Sequence, residues 1–140
     1  MMMLAIQEVR EKIRSKAELA MISIVEDDKE VRSAICNLLE SAGLRVEAFE
    51  SAEEFLESGP MDKKACLVLD VRLPRMTGLK LQRSLYGQGN SLPIIFITGH
   101  ADSTVREEAL RAGAADFFYK PFNAEALVTS VHSALNRPQA

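Results

Sequence analysis

With 140 residues, 47% of them hydrophobic and 26% charged, the chain has the make-up of one ordinary soluble domain with a real core. A net charge of −3 and the lack of a basic block argue against direct nucleic-acid binding, and no apolar run approaches the roughly 20 residues of a membrane span. The N-terminus mixes Arg10, Lys12, Arg14 and Lys16 with Glu8, Glu11 and Glu18 and lacks the apolar stretch of a signal peptide, so a cytoplasmic protein with no membrane contact is expected.

Residues 1–19 stand apart as a helical extension or leader. Ile6, Val9 and Ile13 recur at helical spacing, and Glu8 precedes Lys12 by one turn, which predicts a short amphipathic helix. Such a helix is too short to stand alone in water, so it is expected to dock on the domain or to pair two protomers.

From residue 20 to 137 a unit repeats, leaving 138–140 as a tail. Met21–Val25 reads as a strand ending in Glu26-Asp27-Asp28. The helix after it carries Val31, Ile35, Leu38 and Leu39 on one face and stops at Gly43. Arg45–Phe49 alternates, as a sheet edge does, and Ser51 with Glu54 forms a capping box for a helix reaching about Ser58. A third strand covers Cys66–Asp70, followed by a helix from about Gly78 to Tyr86. Pro93–Thr98 is a fourth strand, and Asp102–Ala112 is a helix closed by Gly113. Ala115–Tyr119 is a fifth strand, and Asn123 caps a last helix that runs to about Asn136. Cys36 and Cys66 fall in these apolar patterns and read as buried thiols, not as a bridge or a metal pair. His132, on the last helix, reads as a surface histidine without chemistry. Strict strand–helix alternation predicts an α/β fold: a doubly wound, five-stranded parallel sheet of order 2-1-3-4-5, flavodoxin-like and three-layered, plus the N-terminal helix.

The stretch Ala65–Gly78 organises the rest. An unalternating apolar run reads as a strand buried on both faces, and Asp70 ends it where open α/β sheets place their ligands. Pro74 and Gly78 demand an ordered loop before the next helix. With this strand order, Glu26 and Asp27, Asp70, Thr98 and Lys120 all end in one crevice. Clustered carboxylates repel one another unless a cation sits among them, and all-oxygen ligands suit Mg²⁺, with Mn²⁺ as the alternative ion. A hydroxyl and a lysine opposite are what a phosphoryl group bound at Asp70 would need.

These residues carry a resemblance. The stretch from about Met21 to Leu135 resembles the receiver domain of two-component response regulators: an acidic pair after the first strand, Asp70 with Pro74 and Gly78, Thr98, and Lys120-Pro121. Spacing agrees, at 43 residues from 27 to 70, 28 from 70 to 98 and 50 from 70 to 120. Asp70-Val71-Arg72-Leu73-Pro74 and Ile97-Thr98-Gly99-His100 are similar to the nitrogen-fixation class of transcriptional regulators. The resemblance implies a phosphoacceptor at Asp70, with Thr98 and Lys120 as its catalytic neighbours. It implies a metal held by Glu26, Asp27, Asp70 and the backbone carbonyl of Arg72. It makes Thr98 and Phe117 the switch pair and sets Arg72 and His100 beside the phosphoryl group. Asp28 is left as the helix N-cap.

The function so implied is a response regulator receiver, a phosphoacceptor and not a turnover enzyme. A histidine kinase or histidine phosphotransfer protein would donate to Asp70. The face made by the fourth helix, fifth strand and fifth helix would then switch, with a homodimer through that face or through the N-terminal helix. Three rival readings are weaker. A phosphatase of the haloacid dehalogenase type needs a second Asp where Arg72 stands. A flavodoxin-like cofactor carrier needs a phosphate-cradling loop where Glu26-Asp27-Asp28 would repel the phosphate. A pseudo-receiver, serving only as an interaction module, would lack a catalytic residue, and none is missing.

Overall fold

The computed structural model describes residues 20–136, and the expected N-terminal helix and the tail lie outside them. The element order is β1 (Met21–Val25), α1 (Lys29–Ser41), β2 (Arg45–Phe49), α2 (Ala52–Glu57), a 3-10 turn (Met61–Lys63), β3 (Lys64–Asp70), α3 (Gly78–Gly87), β4 (Ile94–Thr98), α4 (Ser103–Arg111), β5 (Asp116–Tyr119) and α5 (Ala124–Leu135). All strands are parallel in the order β2-β1-β3-β4-β5, as expected.

β3 explains why its run does not alternate. Leu67 and Leu69 face one core with Phe55, Leu81, Leu85 and Phe96, while Cys66 and Val68 face the other with Ile35, Leu39, Leu127 and Val131. Every one of these side chains is fully buried or nearly so, and each large one contributes at most about 1.5–3 kcal/mol. β2, at the edge, is only partly covered and its burial does not alternate: Arg45 and Ala48 are exposed, while Val46 and Phe49 pack against opposite cores.

Helix ends follow the cap residues. Asp28 accepts N–H bonds from Glu30 (2.9 Å) and Val31 (3.2 Å), and Asp102 and Asn123 do the same for α4 and α5. Gly43, at φ +84°, ends α1 in the left-handed region, where glycine meets no Cβ penalty. The box at Ser51 closes differently from its simplest form. Ser51 Oγ accepts from Glu54 N–H at 3.1 Å, but the Glu54 carboxylate reaches Glu50 N–H (2.7 Å).

Two sequence expectations need correction. Cys36 is only partly buried, because it sits beside the apolar stripe of α1 and not within it. β3 begins at Lys64, two residues before the expected start. The lysine is buried because its ammonium is fully partnered: Glu47 Oε1 at 2.5 Å, Ser58 Oγ at 2.8 Å, and the Phe49 and Phe55 rings at 5.4 and 5.0 Å.

Candidate functional site

The register of the sheet brings the carboxyl ends of four strands into one crevice. Val25 pairs with Leu69, Asp70 with Ile97, and Thr98 with Tyr119, so the residues that end β1, β3, β4 and β5 stand side by side. Glu26, Asp27 and Asp70 each offer a carboxylate oxygen, and these oxygens lie within 4.8 Å of one another. Glu26 is fully buried and Asp70 only 5% exposed, whereas Asp27 faces solvent.

The two buried carboxylates are each aimed by specific bonds. Asp70 Oδ1 accepts the Arg72 N–H at 3.0 Å, and Asp70 Oδ2 lies 3.2 Å from the Lys120 ammonium. Lys120 also bonds Glu26 Oε1, whose other oxygen accepts the Asp28 N–H at 3.3 Å. The lysine is held over the crevice by backbone, since Lys120 N–H bonds the Thr98 carbonyl at 2.7 Å; the Lys120–Pro121 bond is cis. Arg32, from α1, donates to the carbonyls of Glu26 (2.9 Å) and Asp27 (3.4 Å) and so fixes the backbone that carries the acidic pair.

The electrostatics are unbalanced. Burial, then the neighbouring Asp70 carboxyl, pushes Glu26 above its usual 4.5, with Lys120 pulling the other way. Desolvation and then Glu26 push Asp27 above 3.8. Burial alone would lower Lys120, but Glu26 and Asp70 outweigh it and hold the ammonium above 10.5. One ammonium against three carboxylates leaves the crevice formally short of positive charge. The donor set therefore fits a hard divalent cation, with oxygens within reach of one ion and an open side at Asp27.

Most residues expected in the site are in it. Thr98, 2% exposed, ends β4 beside Asp70, and its Oγ1 accepts the His100 N–H at 3.2 Å, which leaves the hydroxyl hydrogen to donate. Arg72 and His100 are exposed on the two loops that flank Asp70. Asp28 caps α1 and belongs to no carboxylate cluster among the described residues, as expected. His132 is exposed on α5.

Phe117 lies in the core, 7% exposed and packed on Phe96 (5.9 Å between centroids) and Tyr119 (5.5 Å). Sequence reasoning missed the part played by Arg32. Its signal was a cation in the first turn of α1, within reach of the carbonyls just before the helix.

Residues 22–132 match the family described as the response regulator receiver domain. The response regulator protein TmoT of Ectopseudomonas mendocina is 47% identical over 116 residues, 83% of this chain and 53% of its own length. The transcriptional regulatory protein FixJ of Azorhizobium caulinodans is 41% identical, over 83% of this chain and 55% of its own length. The chain thus spans about half the length of the curated relatives it matches. Among solved structures, FixJ-N superposes with a TM-score of 0.79 at 36% identity, covering 86% of this chain and 97% of that one. The BeF3-activated DrrB receiver domain gives 0.76 at 30% identity, over 85% and 99%. Receivers of this family are signalling proteins rather than turnover enzymes, work in general by phosphorylation of an aspartate, and generally bind Mg²⁺ and interact with histidine kinases. The chain belongs to the response regulator receiver domain family.

Proposed function

We propose that this chain accepts a phosphoryl group on Asp70 from a histidine kinase or a histidine phosphotransfer protein in the cytoplasm, in a Mg²⁺-dependent reaction. The observation that carries the reading is the crevice itself. Three carboxylates meet within 4.8 Å, with the Lys120 ammonium 3.2 Å from Asp70 and Thr98 on the neighbouring strand, one residue beyond the Ile97 that pairs with Asp70. Glu26, Asp27, Asp70 and the Arg72 carbonyl would hold the ion, and Mn²⁺ could replace it. Bound there, the ion would supply the positive charge that the carboxylates and the incoming phosphoryl oxygens need.

The chain's own residues then do the positioning. Arg72 N–H and Lys120 fix the plane of the Asp70 carboxylate, so that an oxygen can meet the phosphorus in line. The new O–P bond forms as the bond from phosphorus to the donor imidazole nitrogen breaks, and the electron pair leaves with the imidazole. Lys120 can follow the phosphoryl oxygens, since its Nζ already spans Glu26 and Asp70. Arg72 and His100 flank the product and govern the access of water.

The switch follows from charge. A phosphoryl oxygen is the strongest acceptor near the Thr98 hydroxyl and would draw it toward Asp70. The gap at the end of β4 opens beside Phe117, and the Phe96–Phe117–Tyr119 trio repacks within a core already closed, not by a ring entering from solvent. The loop that follows Thr98 moves too, and the face of α4, β5 and α5 changes shape. That face is the proposed contact for an output partner or a second protomer, and the segment of residues 1–19 is the alternative dimer contact.

Amide shifts with and without beryllofluoride, a phosphoryl mimic, test this reading. Changes should spread from Asp70 and Thr98 through Val105 to Phe117 and Tyr119. In Thr98→Ala the mimic should still bind, with the distant changes reduced. Equal distant changes in both proteins would remove Thr98 from the switch, and no changes at Asp70 would refute the site.

A further inference from the structure

The loop between β3 and α3 carries the Arg72 carbonyl and forms one wall of the crevice. Its base is tied tightly: Val71 N–H bonds Ile97 O (3.1 Å), Gly78 N–H bonds Val71 O (3.0 Å), and a Cβ on Gly78 would sit 2.3 Å from the Asp70 carbonyl oxygen. Its crown, Leu73 to Met76, is held differently. Arg75 has φ +65°, in the left-handed region that a non-glycine residue occupies only when its surroundings hold it there. The hydrogen bond that holds it comes from another helix. Met76 N–H donates to Glu53 Oε2 at 3.2 Å, and Arg75 Nε lies 3.7 Å from the same oxygen.

Glu53 makes no capping hydrogen bond to its own helix. Ser51 and Glu54 already cap α2, and Glu53 Oε1 is buried without a hydrogen-bond partner, a cost that a residue serving α2 alone would not incur. The Met76 bond and the Arg75 contact are what that carboxylate gains.

We propose that Glu53 is a positioning residue for phosphoryl transfer at Asp70, acting by holding the crown of the β3–α3 loop in its left-handed form. The inference rests on Asp70 being the phosphoacceptor. Without Glu53, Arg75 relaxes to negative φ, the crown rises, and the Arg72 carbonyl and N–H lose their aim at the crevice. A small misplacement of groups around a reacting centre is costly in rate even when every group is still present.

The test uses Glu53→Ala and Glu53→Gln in the full chain, with two readouts. Without phosphodonor, hydrogen exchange at the Met76 amide should speed up about tenfold in Glu53→Ala and little in Glu53→Gln, whose side-chain carbonyl can accept the same N–H. With phosphoramidate and Mg²⁺, intact mass should show phosphorylation about three- to tenfold slower in Glu53→Ala and near the parent rate in Glu53→Gln. Adding Arg75→Gly to Glu53→Ala should recover rate, because glycine takes positive φ without penalty. If Glu53→Ala fails to fold, Glu53→Ser, too short to reach Met76, takes its place. A parent that is phosphorylated, with Glu53→Ala phosphorylated at the same rate, overturns this proposal alone. Unchanged exchange at Met76 does the same. A parent that takes no phosphoryl group at all overturns the reading of Asp70 and this proposal with it.

Discussion

Lys64 and Lys120 both bring an ammonium into a carboxylate's reach at the sheet, one where β3 begins and one just after β5, and their surroundings differ in one respect. Lys64 faces a single carboxylate, Glu47, which also accepts from Ser23 Oγ at 2.7 Å, and a hydroxyl and two ring faces satisfy what remains. Charge there is balanced and every bond is made. Lys120 faces Glu26 and Asp70 with Asp27 beside them, and burial first, then the neighbouring carboxylate, displaces the pKa values of Glu26 and Asp27 upward. A balanced buried pair is finished structure. An unbalanced one has affinity left over for a cation and, through that cation, for an anion, which is what a site requires.

The difference can be broken most forcefully at the two lysines. Lys64→Met leaves Glu47 without its partner and should cost about 3 kcal/mol, or roughly 10 °C in Tm. Lys120→Met should cost a similar amount in chelator, because Glu26 is then buried without a countercharge. The responses to Mg²⁺ should diverge. Added Mg²⁺ should raise the Tm of Lys64→Met by the same increment as the parent and that of Lys120→Met by more, because the ion replaces the missing positive charge. Equal increments in all three proteins would mean that the crevice is not short of charge.

A smaller effect separates the neighbouring aspartates. Asp27→Asn should weaken Mg²⁺ about tenfold, near 1.4 kcal/mol. Asp28→Asn should change it little and leave α1 intact, because Asn caps a helix as well as Asp. The reverse ranking in a metal titration would shift the acidic pair by one residue.

The smallest effect concerns the two thiols. Burial pushes Cys66 up to about 12, so iodoacetamide at pH 8 should modify Cys36 slowly and Cys66 only after denaturation. The unfolded chain loses the Cys66 proton near 9.0 and the folded one only near 12. The stability tied to this proton is therefore intact well below pH 9 and should fall by about 1 kcal/mol between pH 9 and pH 10. Denaturant melts of the parent and Cys66→Ala at pH 9 and 10 should show that loss in the parent alone.

Much of this was legible in the sequence because local signals agreed with the fold. Asp28, Ser51, Asp102 and Asn123 mark their helices by cap chemistry, and the unbroken apolar run into Asp70 marks the central strand. What was not legible depends on contacts between distant segments. Lys64 reads as a loop residue until Glu47, Ser58 and two phenylalanines surround it. Glu53 reads as an ordinary first-turn acid until the β3–α3 loop arrives against it. Phe117 was legible as an aromatic in the right place, but its packing depends on Phe96 and Tyr119, which no spacing rule specifies.

The central claim is that the unbalanced crevice exists to receive a phosphoryl group on Asp70, and intact mass spectrometry tests it most directly. The parent and Asp70→Asn are incubated with phosphoramidate, each with Mg²⁺ and with chelator. One added phosphoryl group should appear in the parent with Mg²⁺ and in none of the other three samples. Labelling that persists in Asp70→Asn, or that proceeds equally well in chelator, would contradict the account.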